Sequence, residues 1–151
     1  QITAQSMGIM ICGTVLGSQR GALAVLLFIT LTALGLPLLS GGRGGLGVFA
    51  SPSVGFIVGF PLAAFVAGWI TSKLRLINVF YSSLLGALVG GILILYIPGI
   101  VGMSIMLDKS ISEAALIALI YLPGECIKAF LCAILTYTLF KLRPENVLSR
   151  I

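Results

Sequence analysis

The sequence predicts an all-α fold, a bundle of helices that crosses a lipid bilayer several times. Three observations predict it. Hydrophobic residues make up 59% of the chain and charged residues only 9%, whereas soluble domains carry about 25% charged residues. The mean hydropathy is +1.20. Apolar runs close to bilayer length alternate with short polar turns, as expected when a helix must cross a hydrocarbon core of about 30 Å. A chain this apolar has too few polar groups for a wettable surface, so its solvent is lipid.

In chain order, the apolar runs predict spans at roughly 7–17, 21–39, 54–72, 79–98 and 125–142. Ser18-Gln19-Arg20 is read as the first turn and Pro37 as the exit of the second span. Residues 40–53 read SGGRGGLGVFASPS, a glycine-rich loop too broken to span. Ser53 is placed to cap the third span. Pro98-Gly99 is expected to break the fourth. Ser112 lacks an acidic partner three residues on for a capping box, although Glu113 suits a first helical turn. The run 112–122 is too short to cross alone, and Pro123-Gly124 separates it from the last span. A half-helix joined to a full helix in this way survives in a membrane only where it lines a cavity or is buried in protein.

The cations indicate orientation. Arg20, Lys73, Arg75, Lys141, Arg143 and Arg150 fall at one set of alternate turns, and Arg43 and Lys109 at the other. Six against two is a positive-inside pattern that places the C-terminal end in the cytoplasm of a multi-pass cell-membrane protein. The net charge of +5 is therefore a topology signal, and no nucleic-acid partner is implied. Five spans leave residue 1 outside, and Gln1-Ile2-Thr3-Ala4-Gln5-Ser6 carries neither an initiating Met nor a basic leader. The expectation is a parent with six helices, the first missing from this numbering.

Candidate chemistry gathers on the outer side. Arg43 is the one cation of the glycine-rich loop, and Ser53 presents a hydroxyl at the start of a span. Glu125 and Lys128 are i and i+3 on one helix face within an apolar stretch. A lysine at a helix centre costs roughly 2.5–3.5 kcal/mol on insertion scales, which makes an intramembrane charge a functional candidate. The plain alternatives are a solvated Arg43, a capping Ser53 and a structural ion pair. Cys12, Cys126 and Cys132 lie in apolar runs without metal-ligand spacing and read as packing residues. With no His, no metal cluster and no Ser-Lys dyad at useful spacing, an intramembrane enzyme is a remote alternative and no cofactor is implied. Gly55, Gly59, Ala63 and Ala67 form a small-residue stripe suited to close helix packing, a candidate docking face for a partner.

The stretches Arg20 to Leu27, Gly35-Leu36-Pro37, Gly41 to Gly47, Ser51-Pro52-Ser53-Val54-Gly55-Phe56 and Leu122-Pro123-Gly124-Glu125-Cys126-Ile127-Lys128-Ala129 resemble the BioY family, the biotin-specific S components of energy-coupling factor (ECF) transporters. Residues 1–6 look like that family's Pro-Ile-Thr-Leu-Gln-Thr loop between its first two helices. The chain departs from the family where Gly-Pro-Thr-Gly-Gly-Tyr is usual, losing a hydroxyl at Phe56, and where Asp is usual at Glu125.

The resemblance implies high-affinity capture of biotin on the outer face. It also implies docking on a transmembrane coupling protein joined to two cytoplasmic ATPases. The chain has no GxxxxGK[ST] loop of its own. It implies a ligand role for Glu125 and Lys128. Biotin's ureido group suits a carboxylate acceptor, and its valerate suits a cation, Lys128 or Arg43. Phe49 and Phe56 are expected to supply apolar walls, and Thr3 and Gln5 to help close the site. An S component for another small vitamin is the alternative.

Overall fold

The computed structural model describes residues 5–39 and 41–151. Among them the fold is helical throughout. The helices are α1 (Gln5–Leu16), α2 (Ser18–Ala33), α3 (Val54–Lys73), α4 (Val79–Leu88), α5 (Leu95–Met106), α6 (Ile111–Leu119) and α7 (Leu122–Leu142). A π-helical turn, Val89–Ile94, joins α4 to α5, so that one continuous helix runs from Val79 to Met106. This helix and α3 are each long and apolar enough to cross a membrane. The pair α6 and α7 passes the same test as one span bent by 54°.

Helix α3 is the hub, packing on α1, α2, α4 and α5, while α7 packs on α4 and α1. Small residues make these approaches possible. Gly55, Gly59, Ala63 and Ala67 are all buried inside this one chain. A Cβ added at Gly59 would stand 2.7 Å from the Pro98 ring, and one at Gly90 would stand 2.6 Å from the Ala63 carbonyl. The stripe read as a partner-docking face is therefore an internal seam. Lipid tails are as apolar as the side chains they would displace, so close van der Waals contact is what holds such helices together. Two buried clusters result. Ile9, Val25, Ile57, Phe60 and Leu95 belong to the first, and Met10, Ala87, Ile92, Ala129 and Cys132 to the second.

Several boundaries differ from the sequence expectation. Helix α2 starts at Ser18, because Gly17 alone, at φ 93°, reverses the chain. The helix ends at Ala33, well before Pro37, and Gly35 follows at φ 114°. Residues 41–53 of the glycine-rich loop take defined turns. Leu39 and Arg43 form an isolated bridge, the Gly45 amide donates to the Thr32 carbonyl at 2.7 Å, and Leu46–Ala50 is a 3-10 turn that buries Val48. Pro98 does not end its helix. It follows the widened π turn by four residues, which eases the clash a proline makes with the carbonyl four positions back. Helix α6 does have a capping box, built on Ser110 and Glu113 rather than on Ser112. Pro123 lies in the first turn of α7, where its missing N–H costs nothing, and the bend falls just before it.

At the far end of α3, the segment after α7 folds back. The Arg150 guanidinium donates to the carbonyls of Thr71, Leu74, Arg75 and Ile77 and to the Ser82 hydroxyl. Burial, and then the nearby Arg75, push its pKa down from the ordinary value. These carbonyls belong to the end of α3 and the turn after it, where a cation complements both the orphan carbonyls and the helix dipole.

Candidate binding site

A cavity of about 530 Å³ lies where the first turns of α1, α3 and α7 converge with the Leu39–Arg43 bridge. Gln5 and Ser6 enter it from α1, Ser53 and Phe56 from the start of α3, and Tyr121, Glu125 and Lys128 from the α6–α7 bend. Phe60, Leu95, Tyr96 and Met103 supply deeper walls. Arg43 also lines it. The volume falls within the roughly 300–1,000 Å³ typical of small-molecule sites.

The polar centre is a triangle of hydrogen bonds. Lys128 Nζ donates to Glu125 Oε1 at 2.9 Å and to Ser6 Oγ at 3.1 Å, and Ser6 Oγ donates to the same Oε1 at 3.1 Å. The ion pair is nearly buried. Its second carboxylate oxygen, Oε2, is buried and has no hydrogen-bond partner among the described residues. A buried acceptor left unpaired is costly, and here it belongs to a residue that lines the cavity. The arrangement suits a ligand that donates N–H to Oε2.

Of the residues expected at the site, Glu125, Lys128, Arg43, Ser53, Phe56 and Gln5 line this cavity together. Phe49 is not among the residues that line it and packs, half-buried, against the core cluster that includes Val48 and Ile57. Thr3 lies outside the described residues. Ser53 does not cap α3 through its side chain. Its hydroxyl is 2.8 Å from that of Ser51, which itself donates to the Val48 carbonyl.

Sequence reading missed Ser6, Tyr96 and Tyr121. The Tyr96 ring meets Phe56 edge-on at 5.8 Å between centroids, so these two rings form one apolar wall with a phenol at its edge. A hydroxyl residue that ends the stretch resembling the family's Pro-Ile-Thr-Leu-Gln-Thr loop was the one signal pointing to Ser6.

The BioY family model matches residues 1–145. The biotin transporter BioY of Rhodobacter capsulatus is 44% identical over 158 residues, which cover 99% of this chain and 83% of that protein. The biotin transporter BioY of Rhizobium etli is 45% identical over 141 residues, covering 89% and 74% respectively. A crystal structure of the S-component for biotin from an ECF-type ABC transporter superposes with a TM-score of 0.85 at 31% identity, covering 91% of this chain and 74% of that one. On the extent of the family match and the identity to these relatives, the chain belongs to the BioY family.

Proposed function

We infer that this chain is the biotin-binding membrane subunit of an uptake transporter, and that the cavity beside Glu125 is where biotin is captured. Family membership supports the ligand. Oε2 of Glu125, without a partner among the described residues, carries the assignment of the site. A ureido N–H is the matching donor. The valerate carboxylate is matched by the cations lining the cavity, Arg43 and Lys128. Phe56, Phe60, Leu95 and Met103 give the fused rings and alkyl chain apolar surroundings. The protein is a transport subunit and not an enzyme, and biotin is its cargo rather than a cofactor.

The finer placement follows from charge. Helix α3 runs about 30 Å from Ser53 at the cavity to Lys73, beside the Arg75 and Arg150 cluster. With the cation-rich end in the cytoplasm, the cavity faces outward in the cell membrane. Energy for import then comes from partners, a coupling protein and two cytoplasmic ATPases, since the chain carries no phosphate-binding loop of its own.

The test uses Lys128→Met combined with Glu125→Gln, which removes both charges and keeps the shapes. This variant is expected to fold and to lose at least a hundredfold in biotin affinity, about 2.7 kcal/mol. Unchanged equilibrium binding by the folded double variant would sink the site. Mass spectrometry of the small molecule retained through purification tests the ligand, with another vitamin as the contrary result.

A further inference from the structure

The ion pair alone does not define what the site can recognise. Glu125 and Lys128 stand one turn apart on α7 and would meet whatever the rest of the protein did. The two oxygens of a lone carboxylate are equivalent, and its terminal torsion is broad and two-fold. Within α7, Lys128 engages Oε1, but one contact alone does not fix the plane of the carboxylate.

Ser6 adds the second contact, on that same oxygen. It lies on α1, 119 positions away from Glu125, and its hydroxyl donates to Oε1 while accepting from Lys128 Nζ. Oε1 then holds two donors, Ser6 and Lys128. Two of the three ammonium hydrogens are engaged, on Ser6 and on Glu125. The triangle presents one acceptor, Oε2, with an ammonium hydrogen beside it. We propose that Ser6 is a positioning residue of the pocket, whose hydroxyl locks the Glu125 carboxylate so that Oε2 alone meets the N–H of the ligand's ureido group. This rests on the biotin reading above. Because the lock is carried by α1, recognition of the ureido end depends on how closely α1 sits against α7.

The test compares Ser6→Ala, Ser6→Thr and Ser6→Val in the full chain. Equilibrium binding is measured for biotin, for biotin methylated on a ureido nitrogen and for the amide of biotin's carboxylate, together with the ligand-free melting temperature. Ser6→Ala is expected to bind biotin about tenfold more weakly and to discriminate less against the ureido-methylated compound. The penalty for the carboxyl amide should stay as in the unaltered protein. Ser6→Thr should restore both values and Ser6→Val should not; since Thr and Val share a shape, this pair decides the matter even if the alanine variant folds poorly. A purely structural Ser6 would lower affinity for all three compounds by a common factor, alongside the melting temperature, and that result overturns the proposal. So does an alanine variant with unaltered affinity and discrimination. Failure of the unaltered protein to bind biotin would instead overturn the reading on which the proposal rests.

Discussion

Lys128 and Glu125 place two formal charges in the first two turns of a membrane helix, and each is tolerable only because of the other. Their dependence is unequal from the ligand's side, since Oε1 is shared and Oε2 is not. Lys128→Ala strands the carboxylate, at a cost of about 3–5 kcal/mol when a buried pair loses one partner. The single variant should therefore melt below the Lys128→Met, Glu125→Gln double variant when both are heated without ligand in one detergent. Equal melting temperatures would mean that the Ser6 hydroxyl alone satisfies Glu125. At this scale the pair was legible, because i, i+3 spacing is a property of one helix. Ser6 and Tyr96 were not, because they reach the cavity through packing between helices distant in sequence. Phe49 packs on the core cluster beside the cavity, and an aromatic residue in a loop gives no sign of which side of a 3-10 turn its ring will take.

Among the elements, the helical class followed from composition, but helix ends did not follow from apolar runs. Gly17 ends one helix and admits the next without a polar turn, and α2 stops while the sequence is still apolar. At 16 residues, α2 is about 24 Å long, shorter than the hydrocarbon core. The segment after it brings Leu39 and Arg43 to the cavity and ties its backbone to α2 through the Gly45 amide and the Thr32 carbonyl. The α3 stripe carries a direct expectation. Gly59→Leu forces a branched side chain against Pro98 and Leu95, and overpacking of this kind costs about 1–3 kcal/mol or more. The yield of folded, monodisperse protein should fall even when the chain is expressed with no transporter partner. Normal yield and melting temperature, with loss only of partner co-purification, would return the stripe to an outward docking role.

Across the whole molecule, the two ends differ in chemistry. One holds the cavity, with Arg43 and the bend before α7. The other holds Lys73, Arg75 and Arg150, the last tied into the carbonyls at the end of α3. A cysteine at position 43 should react with an impermeant thiol reagent on intact cells, and one at position 75 only after permeabilisation, in a background where exposed Cys126 is replaced. The reverse pattern would turn the cavity toward the cytoplasm and rule out capture from outside.

The helix from Val79 to Met106 holds a consequence for the cavity wall. Its buried stripe begins with Val79, Ser82, Ser83, Gly86, Ala87 and Gly90. Continued at about 3.6 residues per turn, that stripe would next fall on positions 93–94, 97 and 101. Leu93, Ile97 and Val101 are instead exposed, and Leu95, Gly99 and Met103 are buried. The π turn between them has absorbed one residue, setting the second half of the helix back by one position, or about 100° of rotation. A hydrophobic pattern followed with one unbroken period through this span assigns every later residue to the wrong face. The phase slip turns Leu95, Tyr96 and Met103 toward the cavity, so an aromatic wall of the binding site depends on a single residue inserted some way along the chain from it.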